Sequence, residues 1–207
     1  MNEREAREAV VAAARSLFER GLTHGSTGNI SVRCDDRILV TPTGSSLGTV
    51  EPDELAVVDR EGRHLDGPAP SKEAFLHAAV LAQRPGASAV IHTHSTYSAA
   101  VSCLAGLNPD AAIPPITAYF AMRVGKLPLL PYHAPGDTRL EKTVRRVAAE
   151  RHAMLLANHG PVVAGATLQA TMDIIEELEE TARIFLLLHG RDISPLPPGE
   201  TDRLLAL

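Results

Sequence analysis

The sequence predicts a single α/β domain. Stretches with apolar residues at helical spacing alternate with short apolar runs of β type, and turn residues punctuate the boundaries. No internal repeat, low-complexity tract or linker interrupts residues 1 to 190. Residues 3 to 20 open with a helix whose stripe is Ala6, Val10, Ala13, Leu17 and Phe18, and Gly21 supplies its stop. After a segment rich in Gly, Ser, Thr and Asn (Leu22 to Asn29), Ile30 to Arg33 and Ile38 to Thr41 make a hairpin about Asp35-Asp36. A second hairpin is expected over Leu55 to Leu65, turning at Glu61-Gly62. Pro70 and Ser71 open a helix to about Gln83, with Ser71 as N-cap, and Pro85-Gly86 closes it. Ala89 to Ile91 form a buried strand that delivers His92-Thr93-His94, and Ser95 begins the next helix. Further strands are expected near Leu127 to Pro131, at Ala153 to Ala157 and at Pro161 to Val163, with helices at about 139–150 and 168–189. Pro195, Pro197 and Pro198 mark a tail poor in apolar groups, expected to be ordered by packing on a neighbouring subunit.

Composition narrows the function. The 207 residues are 44% hydrophobic and 22% charged, the balance of a globular protein with a full core. Aromatic residues are 3% of the chain and Trp is absent, which leaves no stacking platform for single strands. The 20 basic residues are scattered among 25 acidic ones, for a net charge of −5, so nucleic acid is not an expected partner. No apolar run reaches the roughly 20 residues that span a bilayer, and residues 1 to 20 are charged and amphipathic, unlike a signal peptide. A cytoplasmic protein without membrane contact is expected. Cys34 and Cys103 stand apart without a CxxC partner, as in a reducing compartment, and are expected to be small packing residues.

Chemistry enters with the histidines. Residues two apart on a strand point the same way, so His92 and His94 can share one ion. His159 also lies where an apolar strand ends in a loop, in Leu155-Leu156-Ala157-Asn158-His159-Gly160. Three imidazoles with an open position make a catalytic zinc site, and Mn²⁺ and Co²⁺ take the same ligands. His24, His64, His77, His133, His152 and His189 lack paired spacing and read as surface or capping residues, with His24 and His133 able to face the pocket.

Three small-residue loops suit an anion: Gly25-Ser26-Thr27-Gly28-Asn29, Thr41-Pro42-Thr43-Gly44-Ser45-Ser46, and Ser71-Lys72 at a helix start. Backbone N–H groups in such turns bind phosphate, and a lysine adds a point charge, so a phosphorylated substrate is expected. Glu73 follows in what should be the first helical turn, where the dipole favours an ionised carboxylate.

The segments Gly28-Asn29-Ile30-Ser31, Thr41-Pro42-Thr43-Gly44, Pro70-Ser71-Lys72-Glu73, His92-Thr93-His94-Ser95 and Asn158-His159-Gly160 resemble the class II aldolase/adducin family, in that family's order and across about residues 5 to 190. The resemblance implies a three-layer α/β/α sandwich around a largely antiparallel sheet, assembled as a homotetramer with sites between subunits. It places His92, His94 and His159 on the metal, Glu73 as acid/base, and Gly28, Asn29, Thr43, Gly44 and Ser71 on the phosphate. Lys72 departs from the aldolases, which carry a second serine there; its charge suits the phosphate side. Longer matches, such as Ser71 to His77 and Leu156 to Gly165, are similar to a subgroup of 3-oxo-tetronate 4-phosphate decarboxylases. That subgroup implies metal-dependent loss of CO₂ through an enediolate, giving dihydroxyacetone phosphate. A fuculose-phosphate-type aldolase and a non-catalytic adducin-like module are the alternatives. Tyr119 is either a packing residue or a proton donor to a neighbouring subunit's site.

Overall fold

The computed structural model describes residues 2–197 and 199–205. Its first helix, α1 (Glu3–Glu19), starts with a capping box in which Asn2 Oδ1 accepts from the Glu5 N–H and Glu5 accepts from the Asn2 N–H, each at 2.9 Å. It ends as expected at Gly21, with the Leu22 N–H bonded to the Leu17 carbonyl and the Gly21 N–H to that of Phe18. Phe18 departs from the expected stripe. It is 37% exposed and lies over Gly48.

The strands are β1 (Asn29–Cys34), β2 (Arg37–Val40), β3 (Ala56–Val58), β4 (His64–Asp66), β5 (Ala89–His92), β6 (Leu129–Leu130), β7 (Ala153–Leu156) and β8 (Gly160–Gly165). They form one sheet in the order β4-β3-β2-β1-β5-β8-β7-β6, antiparallel throughout except for the β6–β7 pair. The remaining helices are α2 (Ala74–Gln83), α3 (Thr96–Ser102), α4 (Ala118–Arg123), α5 (Glu141–Ala148), α6 (Leu168–Leu187) and α7 (Glu200–Leu205).

Helices α1, α3, α4 and α6 bury one face of the sheet, where Ile30, Val32, Ile91, Leu155 and Val163 meet Leu17, Val101, Phe120 and Ile175. Helices α2 and α5 bury the other, where Val90, Met154 and Val162 meet Leu76, Val80 and Val144. Both faces are covered, so most of the inner strands read as continuous apolar runs, without polar alternation. The expected α/β/α sandwich with a largely antiparallel sheet is what the chain forms.

Four expectations need correction. Helix α2 begins at Ala74, three residues later than Ser71: the chain first makes a turn from the Ser71 carbonyl to the Ala74 N–H, and Glu73 is the N-cap residue. Helix α4 was not anticipated, because six residues after Pro114-Pro115 are too short to show a period; the Thr117 side chain caps it on the Phe120 N–H. The Pro-rich tail is ordered on its own chain. The Leu196 N–H reaches the Pro115 carbonyl and α7 packs on α4. Pro198, one of the three prolines that mark it, lies outside the described residues. Finally, Cys34 is buried as expected, but Cys103 is exposed.

One close approach governs how β8 meets β5. A Cβ added at Gly160 would overlap the Thr93 carbonyl oxygen, so only glycine lets the start of β8 lie against the end of β5. Gly160→Ala is therefore expected to destabilise the fold by about 1–3 kcal/mol, the usual cost of overpacking, measured by urea unfolding. An unchanged midpoint would show that β8 can retreat without loss.

Candidate metal centre and its pocket

Three antiparallel neighbours, β1, β5 and β8, build the site. Strand β5 ends at His92, which pairs across to Asn29 of β1 and Val162 of β8. Its side chain points to the α2 face and is fully buried. Two residues on, His94 points the same way, as the spacing predicted. His159 arrives on the three-residue turn between β7 and β8, in which Asn158 adopts a left-handed conformation (φ 55°). That turn is fastened to the end of α3: Asn158 N–H donates to the Ser102 carbonyl and His159 N–H to the Ser102 hydroxyl, both at 3.1 Å. Helix α3 is itself held at its start by Glu179 of α6, whose carboxylate accepts from the Tyr97 N–H, the Ser98 N–H and the Ser98 hydroxyl at 2.7–2.9 Å.

The three Nε2 atoms converge. His92 and His94 are 3.1 Å apart at Nε2, His92 and His159 3.2 Å, and His94 and His159 2.9 Å. An ion bound tetrahedrally at about 2.0–2.1 Å from each nitrogen would separate them by roughly 3.3 Å, so the triangle is close to one face of such a site. The donor chemistry agrees. His92 Nδ1–H donates to the Pro161 carbonyl at 2.8 Å, which leaves its Nε2 lone pair facing inward. Burial, aided by the neighbouring rings, pushes His94 down to about 3 and His159 to about 4, so both imidazoles are neutral near pH 7. This set can hold a divalent metal, and among the described residues it is the one cluster that can.

Glu73 lies at the edge of the triangle. Its Oε2 is 3.4 Å from His92 Nε2 and its Oε1 3.6 Å from His159 Nε2. Burial alone would raise its pKa. The neighbouring imidazoles of His92 and His159, with a 2.9 Å hydrogen bond from Asn29 Nδ2, outweigh burial and hold the carboxyl at about 2, ionised at neutral pH.

Around this centre the cavity, about 260 Å³, is lined by Ser26, Thr27, Gly28, Thr43, Gly44, Ser71 and Lys72 together with Glu73, His94 and His159. All three small-residue loops thus meet at one place. Gly28 (φ 80°) passes so near the His92 carbonyl that a Cβ would sit 3.0 Å from it. Lys72 is exposed at the rim beside Gly136. Asn29 lines the same cavity, and its side-chain amide is engaged by Glu73 on one side and His77 on the other. A larger cleft, about 510 Å³, runs between β6 and α5, but its lining contains no histidine or cysteine.

His77, expected at the surface, is fully buried and hydrogen-bonded to Asn29 and Ser31. The signal was present, since His77 follows Glu73 by four residues and Ser31 follows Asn29 by two, which places each pair on one face. Glu179 and Ser102 carried no such signal. His24 is exposed, and half-buried His133 faces Asp137 at 3.2 Å. Tyr119 is 60% exposed in the single chain, with the Arg123 guanidinium over its ring.

An α/β/α sandwich that converges three imidazoles and a carboxylate on an anion-suited cavity has the makings of a metal-assisted enzyme for small acidic substrates. The chain belongs to the family described as Class II Aldolase and Adducin N-terminal domain, whose model matches residues 8–186. The 3-oxo-tetronate 4-phosphate decarboxylase of Haemophilus influenzae is 47% identical over 99% of this chain and 98% of its own. The L-fuculose phosphate aldolase of the same organism is 32% identical over 91% of this chain and 85% of its own. Among solved structures, YgbL of Klebsiella pneumoniae, described only by class as an aldolase/epimerase/decarboxylase, superposes with a TM-score of 0.95 at 44% identity, covering 99% of each chain.

Replacing one imidazole leaves two ligands and an incomplete triangle. His92→Ala is expected to leave well under one equivalent of divalent metal after dialysis, read by elemental analysis. Full occupancy in that variant would remove His92 from the ligand set.

Proposed function

We propose that this chain is a carbon–carbon lyase that decarboxylates 3-oxo-tetronate 4-phosphate to dihydroxyacetone phosphate and CO₂. The observation that carries the reading is the ionised, buried Glu73 carboxylate set against three converging imidazoles. Identity to decarboxylases of that name, 41–47% over nine-tenths or more of the chain, supports the choice of substrate.

His92, His94 and His159 would hold the metal, for which Zn²⁺ is the first choice and Mn²⁺ and Co²⁺ fit the same ligands. When bound, the ion supplies a Lewis acid beside the C3 carbonyl, where negative charge develops as the C1–C2 bond breaks. The turns at Gly28, Thr43, Gly44 and Ser71 bind the phosphate and so set the distance from that end of the substrate to C3. Lys72, at the rim, adds its charge on the phosphate side, because a cation paired with the scissile carboxylate would stabilise the ground state and slow its loss. Glu73 moves the proton. It enters the cycle ionised, takes up a solvent-derived proton and delivers it to C2 in place of the lost CO₂.

We further read Tyr119 as exposed for a neighbouring subunit's site in a homotetramer, and the chain as a cytoplasmic protein, since both cysteines are free. No helix among the described residues is long and apolar enough to cross a membrane.

The substrate is tested by a coupled assay for CO₂ and dihydroxyacetone phosphate on 3-oxo-tetronate 4-phosphate, with chelator-treated enzyme as control. Metal-dependent release of both is expected; cleavage of a sugar 1-phosphate to an aldehyde without CO₂ would replace this reading with the aldolase one. Glu73→Gln is expected to keep its metal and lose turnover by roughly two to four orders of magnitude. Near-normal turnover would take the proton away from Glu73.

A further inference from the structure

Behind Glu73 runs a file of buried hydrogen bonds that the chemistry above leaves without a task. Asn29 Nδ2 donates to Glu73 Oε2 at 2.9 Å, Asn29 Oδ1 faces His77 Nε2, and His77 Nδ1 lies 2.8 Å from the Ser31 hydroxyl. Ser31 and His77 are inaccessible to solvent, and Asn29 is 6% exposed. Asn29 and Ser31 share the α2-facing side of β1, and Glu73 and His77 share one side at the start of α2, so the file spans a strand and a helix.

The geometry sets the polarity of each link. The Asn29 amide turns its NH₂ toward Glu73 and its oxygen toward His77. That oxygen needs a donor, so His77 carries its proton on Nε2. Nδ1 is then a bare acceptor, and the Ser31 hydroxyl must donate to it. Burial, together with repulsion from His92, pushes His77 down to about 3, which keeps the ring neutral and one nitrogen proton-free.

We propose that His77 is a positioning residue for this reaction: backed by Ser31, it fixes the Asn29 amide, and the amide fixes the rotamer in which Glu73 faces the metal triangle. The inference rests on the reading of Glu73 as the group that moves the proton. A flipped amide would press its oxygen against the carboxylate and turn Glu73 away from His92 and His159. Simple satisfaction of buried groups explains the file less well, because apolar residues of similar size at 31 and 77 would pack the same space without three polar groups to desolvate.

The test has two readouts on the zinc-loaded enzyme. Long-range ¹H–¹⁵N correlation of labelled histidine is expected to show His77 neutral with its proton on Nε2, and Ser31→Ala is expected to lose that single tautomer. In kinetics, His77→Leu is expected to lower kcat about 10- to 100-fold at unchanged KM and metal content, the range seen when a partner behind a site residue is removed. His77→Gln, which keeps an N–H donor, is expected to recover most of it. A proton on Nδ1 in the wild type overturns the proposal. So does a His77→Leu enzyme that melts earlier but turns over normally per folded molecule. If the wild type fails to release CO₂, the substrate reading fails by itself; the spectrum still decides the polarity, and the variants are compared on the sugar phosphate that the wild type cleaves.

Discussion

The site depends on the register of β5 between β1 and β8. With His92 opposite both Asn29 and Val162, one imidazole, one amide and the incoming turn at His159 fall on the same side of the sheet. Side chains alternate along a strand, so a slip of one residue would send His92 into the apolar layer beneath α6 and bring Thr93 into the cavity. The apolar neighbours enforce the register. Val90 belongs to the α2 side and Ile91 to the α6 side, and a slip would exchange these buried apolar side chains between the two layers.

Gathering so many polar groups inside a protein is costly unless each finds a partner, and here each does. No buried side-chain nitrogen or oxygen among the described residues lacks a hydrogen bond. The negative charge of Glu73 is set beside groups that favour it, while neighbouring imidazoles are kept neutral by the same burial. Opposite consequences thus follow from one environment. The acid stays charged because the Asn29 amide and the neighbouring imidazoles favour its ionised form over burial, and His94 and His159 stay uncharged because burial outweighs the nearby carboxylate.

Much of this was legible in the sequence, for identifiable reasons. The HxH pair, the strand-end His159 and the three small-residue loops announce themselves through strand alternation and turn chemistry, which are local rules. Helix α1 and its glycine stop were readable for the same reason. What escaped was set by tertiary context. His77 looked like a surface residue because its partners, Asn29 and Ser31, lie more than forty positions away in sequence. Asn29 was legible as a residue of the cavity loops, but its pairing with Glu73 and His77 from the first position of β1 was not. Ser71 looked like a cap, but the chain spends one more turn before α2 begins, and that turn is what brings Glu73 to the edge of the imidazole triangle. Helices α4 and α7 are stabilised against each other, and neither had enough residues to show a period alone.

The Glu179 carboxylate grips the start of α3, whose far end holds the His159 turn through Ser102. A long surface helix is thereby geared to an imidazole that it never touches. A mutational scan scored on turnover would accordingly mark Glu179 as strongly as a ligand, although it stands outside the cavity. In this architecture, a map of inactivating substitutions traces the scaffold's stiffness as much as its chemistry, and separating the two takes a second observable, such as metal content, at every position.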